Sequence, residues 1–129
     1  MAYSIAVTSA TDFDTTVAAT REALSEEGFG ILTEIDLAKT LKEKIGVELD
    51  PYLILGACRP PLAHAAVSAD PSVGTLLPCN VVVRVEGDHV VVEALDPSIM
   101  SQLSDGDALA EVTADAAERL TRALRTLKA

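Results

Sequence analysis

Two runs of β-branched residues in the second half of the chain constrain its fold more than any other feature. Val81–Val85 and Val90–Leu95 are separated by a short polar connection that contains Gly87. A glycine there can adopt the positive φ that a tight turn requires. The pattern predicts a β-hairpin, whose two strands are antiparallel. A wholly parallel, doubly wound sheet is therefore excluded.

The segments around this hairpin alternate between strand and helix patterns. Strands are predicted over 3–7, 29–36 and 52–57, and helices over 13–27, 37–45, 62–68, 98–103 and from 107 onward. Ser9, Thr11 and Asp12 offer N-caps for the first helix, and Asp36 can cap the second. The order β-α-β-α-β-α-β-β-α predicts an α+β fold of two layers, with helices packed on a mainly antiparallel sheet.

Composition and charge exclude several classes of function. We expect the 129 residues to form a single domain over 1–129. The net charge of −10 disfavours nucleic acid and anionic membrane surfaces as partners. Aromatic residues make up only 3% of the chain, so stacking platforms for bases are almost absent. No apolar run approaches the roughly 18 residues of a membrane span, and we expect a soluble, cytoplasmic protein.

The only two cysteines, Cys58 and Cys79, each lie where an apolar run meets Pro or Gly. In a reducing compartment, such a pair is more typical of free thiols, a metal site or redox cycling than of a structural disulfide. Arg59 follows Cys58, and Pro60 and Pro61 can begin the next helix. A positive side chain and a helix N-terminus favour a thiolate, although the prolines remove backbone N–H donors from that helix end.

Four other side chains are candidates for the same site. His64 is a candidate third metal ligand or general base, and Met100 is a candidate thioether ligand for a soft metal. Arg59 and Asn80, sequence neighbours of the cysteines, are candidate ligand-binding residues. The structural alternatives are a half-exposed helix histidine and a core methionine. No CxxC or HxxxH spacing occurs, so a structural zinc site is not predicted.

Three motifs in a fixed order provide a family resemblance. They are GFGILTEID at 28–36, LGAC at 55–58 followed by Pro60, and LPCNVVV at 77–83. With these motifs the chain resembles the DUF302 family, a bacterial and archaeal family of unknown function, over about residues 13 to 100. The resemblance implies an α+β fold of the β-α-β(4)-α type and a homodimer. It implies no established reaction.

Three functions stay open on the sequence alone, and no cofactor is assigned. In the first, Cys58 and Cys79 bind a soft ligand, either a metal ion or a small thiol compound. In the second, the protein is a thiol redox or sulfur-transfer enzyme, with Cys58 as nucleophile and Cys79 as resolving thiol. In the third, the protein is a non-catalytic homodimeric module whose cysteines only pack.

Overall fold

A computed structural model describes residues 3–103, 107 and 109–129. The strands are β1 (Ser4–Ser9), β2 (Gly30–Asp36), β3 (Tyr52–Cys58), β4 (Cys79–Glu86) and β5 (His89–Leu95). The α-helices are α1 (Phe13–Glu26), α2 (Leu37–Ile45), α3 (Pro60–Ala69), α4 (Ser98–Leu103) and α5 (Ala110–Arg125), and a 3₁₀ helix spans Pro71–Leu76. The predicted α+β class is confirmed. Within the described ranges, none of the helices has the length and apolar character needed to cross a membrane.

The strands form one antiparallel sheet in the order β1-β5-β4-β3-β2. The predicted hairpin is present as β4 and β5, and Gly87 in its turn has a φ of 62°. Strand β4 also pairs with β3. Because β3 and β4 are antiparallel, the last residue of β3, Cys58, and the first residue of β4, Cys79, lie at the same end of the sheet.

One face of the sheet packs against α1 and α5 to form the main core. The buried strand residues on this face are Leu53, Leu55, Ala57, Val81, Val83, Val90, Val92 and Ala94. Leu24 of α1 and Leu120 and Leu124 of α5 are fully buried with them. Every second residue of the central strands thus contacts the helices, as a half-covered antiparallel sheet requires. This packing holds β3 and β4 in place, and with them both cysteines.

Strand β2 is an exposed edge strand, although the apolar alternation over 29–36 predicts a strand with one face well buried. Leu32 is 65% exposed and Ile35 is 47% exposed. The pairing register with β3 shifts between Ile31 and Thr33, so the regular alternation of side chains is interrupted there. An apolar alternation in the sequence does not by itself distinguish an edge strand from a central one.

The other face of the sheet is partly exposed, and we call it the open face. It carries the half-buried apolar side chains of Ile54 and Val82 and a polar group around Glu93. Arg84 donates a hydrogen bond to one carboxylate oxygen of Glu93 at 2.9 Å, and Ser4 donates to the other. The hydrogen bond from Ser4 and, to a smaller extent, the one from Arg84 lower the pKa of the Glu93 carboxyl. The charges of Arg84 and Glu93 are therefore paired within the face.

Candidate functional site

Cys58 and Cys79 lie at one end of the two central strands but are not adjacent. In the β3–β4 ladder, Cys79 is opposite Ala57, so Cys58 stands one residue beyond this pair. Both cysteines are free thiols. What they share is a cavity, which both of them line.

This cavity, which we call the cysteine cavity, lies between the end of the sheet and helices α3, α4 and α5. Its lining residues are Phe29, Ala57, Cys58, Arg59, Leu62, Ala63, Ala66, Leu77, Cys79, Pro97, Met100, Val112, Thr113 and Ala116. Its volume is about 30 Å³, which is room for a group of about one or two heavy atoms. The hydroxyl of Thr113 already donates to the carbonyl of Leu109 at 2.8 Å. Because the lining offers water few partners, we expect the cavity to be dry.

The thiol of Cys79 is enclosed and uncharged at neutral pH. Cys79 is only 8% exposed, and no residue in the described ranges forms a hydrogen bond with its thiol. Burial raises the pKa of this thiol to about 11, and the nearby Cys58 sulfur adds a smaller coulombic contribution. A protonated, buried thiol behaves as a small, polarisable apolar group with a weak donor. Cys79 therefore suits contact with a soft, uncharged group better than nucleophilic attack.

Met100 is a third sulfur-containing residue in the cavity lining. It is 2% exposed and packs with Cys79 and Ala66 in a second apolar cluster. Helix α4 holds it there, and the Pro97 that precedes this helix also lines the cavity. The methionine predicted as a ligand candidate is thus both a core residue and part of the cavity wall.

Cys58 is half-buried at the turn from β3 into α3, as the sequence predicts. Arg59 is the N-cap residue of α3, and Pro60 and Pro61 occupy its first turn. The backbone N–H groups of Leu62 and Ala63 both donate to the carbonyl of Arg59. Both N–H groups are used within the helix, and Pro60 and Pro61 have none, so the first turn of α3 offers Cys58 no free backbone donor.

The Arg59 side chain lies against Gly28 and is only loosely paired. Gly28 has a φ of 86°, and a Cβ built on it would lie 3.0 Å from Arg59 Nε. Arg59 Nη1 is 4.0 Å from Asp115 Oδ2 on α5. That same oxygen accepts a hydrogen bond from Arg119 Nε at 2.9 Å. Asp115 is therefore held more closely by Arg119 than by Arg59.

The other two sequence-predicted candidates lie away from the cavity lining. His64 is exposed on α3, whereas Leu62, Ala63 and Ala66 of the same helix line the cavity. Asn80 is exposed and follows Cys79 on β4, so it belongs to the open face, where it lines a separate surface hollow. The described ranges contain no group of three or more His, Cys, Asp or Glu residues arranged to hold a metal ion.

The residues that α5 contributes to the cysteine cavity were not predicted from the sequence. Val112, Thr113 and Ala116 close one side of the cavity, and Asp115 lies beside Arg59. The amphipathic spacing of this helix predicts a buried face. Nothing in that spacing indicates which part of the buried face meets the cysteines rather than the main core.

Similarity to known proteins extends over almost the whole chain. The model of the family described as "Domain of unknown function DUF302" matches residues 5–127. The structure is similar to the crystal structure of an uncharacterized conserved protein DUF302 from Bacillus stearothermophilus, with a TM-score of 0.93 and 28% sequence identity. That similarity covers 99% of this chain and 100% of the other. No curated protein matches the sequence significantly.

Proposed function

We propose that this chain, which belongs to the DUF302 family of unknown function, binds a small sulfur compound in the cysteine cavity. One observation carries this proposal: three sulfur-containing residues, Cys58, Cys79 and Met100, contribute to the lining of a single apolar cavity. Sulfur atoms are large and polarisable, so they make strong dispersion contacts with one another. A cavity of this composition favours a soft, weakly polar occupant over water.

The arrangement supports a sulfur compound better than a metal ion. A thiol must lose its proton to bind a metal, and burial raises the pKa of Cys79 to about 11. In the described ranges, no three His, Cys, Asp or Glu side chains converge on a common point. An uncharged ligand requires neither deprotonation nor a third charged partner.

Methanethiol is a suitable probe, since it has one carbon and one sulfur atom. Added to reduced, metal-stripped protein, it is expected to shift the NMR signals of the Ala57, Ala63 and Met100 methyl groups in a saturable manner. Methanol, with oxygen in place of sulfur, is expected to leave them unchanged at the same concentration. Ala63→Leu fills the cavity and is expected to weaken methanethiol binding at least about tenfold. Ala65→Leu, on the same helix but outside the lining, is the matched control.

Three other outcomes would contradict the proposal. If Cu(I) binds in competition with a chelator and methanethiol does not bind, the site is a metal site. If methanethiol does not bind and mild oxidant produces a reversible disulfide bond between Cys58 and Cys79, the pair is a redox couple. If neither occurs and Cys58→Ala and Cys79→Ala change only stability, the cysteines only pack.

We also propose that two copies of the chain associate through the open face. Ile54 and Val82 leave apolar surface on this face, and contiguous exposed apolar surface is typical of an interface. Arg84 and Glu93 are already paired with each other at 2.9 Å. Covering this face would therefore bury no unpaired charge from this pair. A two-fold axis through the face would bring the same residues together from both copies.

A change at Val82 tests this association. Val82→Glu places an unpaired charge at the centre of the open face and is expected to weaken self-association at least about tenfold. Sedimentation velocity over a range of concentrations measures the effect. Val67→Glu makes the same change at a site on α3 that is 40% exposed, and it is expected to have no effect. Dimers that survive Val82→Glu but not Val67→Glu would place the interface on the helical layer instead.

A further inference from the structure

A hollow with a volume of about 250 Å³ lies on the open face, over strands β4 and β5. We call it the open-face hollow, and its lining includes Tyr3, Ser4, Tyr52, Asn80, Val82 and Glu93. Successive strand residues point to opposite faces of a sheet, and the sequence neighbours of Asn80, Val82 and Glu93 are all buried. These three side chains therefore point to the open face. The volume is close to the lower end of the range for small-molecule sites.

The carboxylate of Glu93 is held in one orientation at this hollow. Its two oxygens accept hydrogen bonds from Ser4 and, at 2.9 Å, from Arg84. Since each carboxylate oxygen has two lone pairs, the group can accept about two further hydrogen bonds. The Glu93 side chain is 29% exposed, so a molecule in the hollow can donate to it. Because Arg84 pairs with this carboxylate, that molecule meets a fixed acceptor whose charge is already balanced.

Two other polar side chains at the hollow have no partner among the described residues. Neither the hydroxyl of Tyr52 nor the carboxamide of Asn80 forms a hydrogen bond with one of them. Asn80 is exposed. Tyr52 is half-buried, but its hydroxyl is accessible, since every buried side-chain oxygen or nitrogen in the described ranges has a partner. Both groups donate as well as accept, so they complement the acceptor on Glu93.

The only two tyrosines of the chain, Tyr3 and Tyr52, both line the hollow. Tyr52 begins β3, whereas Tyr3 directly precedes β1, and its carbonyl accepts a hydrogen bond from the Asp96 N–H at 2.9 Å. Strands β5 and β4 lie between them, so the two tyrosines stand on opposite sides of the hollow. A tyrosine combines an apolar ring with a polar hydroxyl, which suits a ligand that has both characters.

We propose that the open-face hollow binds a pyranose sugar, a neutral ring with hydroxyl groups on adjacent carbons. Each sugar hydroxyl both donates and accepts, as Tyr52 and Asn80 do, and it can donate to Glu93. The apolar C–H faces of the sugar ring pack against tyrosine rings. A cation is disfavoured because Arg84 already pairs with Glu93, and an anion is disfavoured by the Glu93 carboxylate itself. No residue of the cysteine cavity lines this hollow, so the sugar site does not rest on the sulfur ligand.

The open-face hollow and the proposed self-association use the same surface. Val82 lines the hollow, and a second copy seated on the open face would cover it. Sugar binding and association are therefore expected to exclude each other, and the apparent affinity for sugar is expected to fall as the protein concentration rises. If the chain does not associate, the affinity is expected to be independent of concentration.

NMR titration with glucose, galactose and mannose tests the sugar site. Asn80 is the only asparagine of the chain, and Gln102, on α4, is its only glutamine. At a protein concentration at which sedimentation velocity shows monomers, we expect at least one of these sugars to shift the Asn80 side-chain amide signals in a saturable manner. The Gln102 amide signals are expected to stay unchanged. Tetrahydropyran, which has the same ring without hydroxyls, is expected to leave the Asn80 signals unchanged as well.

Substitutions at the hollow test which groups bind the sugar. Asn80→Ala removes one exposed hydrogen-bonding group and is expected to weaken binding at least about fivefold, read from the Tyr52 ring signals. Tyr52→Ala is expected to weaken it at least about tenfold, read from the Asn80 amide signals. Thr8→Ala is the matched control, because Thr8 is exposed on β1 and lies outside the lining. It is expected to leave the affinity unchanged.

Several results would overturn the sugar site. They are equal shifts at Asn80 and Gln102, an affinity that neither Asn80→Ala nor Tyr52→Ala changes, and no shift with any of the sugars. An open face that a second copy covers at every concentration would overturn it as well. If methanethiol binds to the cysteine cavity and no sugar binds to the hollow, the sugar site is wrong and the sulfur ligand stands. The reverse result leaves the sugar site and removes the sulfur ligand.

Discussion

Alkylation of the native protein is expected to modify Cys58 and to leave Cys79 almost unmodified at pH 8. Burial raises the pKa of the Cys79 thiol to about 11, so about one in a thousand of these thiols is ionised at that pH. The thiolate is the reactive form, and enclosure slows the reaction further. We expect iodoacetamide to react with Cys79 at least about a hundredfold more slowly than with an exposed cysteine. Peptide mass spectrometry on quenched samples gives both rates.

The pH dependence of the alkylation rate shows whether ionisation or inaccessibility of the thiol limits the reaction at Cys79. If ionisation limits the reaction, the rate at Cys79 rises about tenfold per pH unit between pH 8 and pH 10. In guanidinium, where the fold no longer distinguishes the two sites, both cysteines are expected to react at similar rates. Comparable native rates at Cys58 and Cys79 would contradict the enclosure of Cys79, and with it the argument that this thiol does not act as a nucleophile.

The parts of the fold that the sequence predicts depend on local interactions. Asp12 accepts a hydrogen bond from the Thr15 backbone N–H at 2.8 Å, and Asp36 accepts one from the Lys39 N–H at 2.9 Å. Both caps join residues three apart, so the sequence contains the donor and the acceptor together. The β4–β5 hairpin is predictable for the same reason, because its turn lies between its strands.

The site is less predictable because it depends on distant pairing. The ladder brings Ala57 opposite Cys79, and a shift of one residue in this register would move Cys79 to the other face of the sheet. The approach of Asp115 to Arg59 joins helices far apart in sequence. The raised pKa of Cys79 results from burial, which only tertiary packing produces. From the sequence, the two thiols are identifiable as candidates, but their shared cavity is not.

Gly56 is the point where the backbone near the cavity is most crowded. It is opposite Thr33 in the β2–β3 ladder. A Cβ built on Gly56 would overlap Thr33 Oγ1 and lie 2.8 Å from Pro78 Cγ. Pro78 directly precedes Cys79, and Gly56 is two residues before Cys58. The absence of a side chain at Gly56 therefore allows the ends of β3 and β4 to hold the two thiols at their present spacing.

Gly56→Ala is expected to lower the free energy of unfolding by about 2–3 kcal/mol, since overpacking of a closed site typically costs this much. Neither neighbour moves easily, because Thr33 is β-branched and Pro78 is a ring. Urea denaturation measures the change. Gly74→Ala is the control, because no atom lies within 4 Å of the Cβ built there, and its effect is expected to stay within about 0.5 kcal/mol.

A second substitution shows whether the overlap with Thr33 is the cause. Thr33→Ala in the Gly56→Ala background removes the overlapped oxygen and leaves Pro78 in place. We expect it to restore about 1 kcal/mol, measured as the coupling energy of a double-mutant cycle. If strain at Gly56 spreads to Pro78, Gly56→Ala also exposes Cys79, and its alkylation is then expected to be faster than in wild type. Unchanged stability in Gly56→Ala would mean that β2 and Pro78 shift freely, and that close packing around Gly56 does not fix the position of the two thiols.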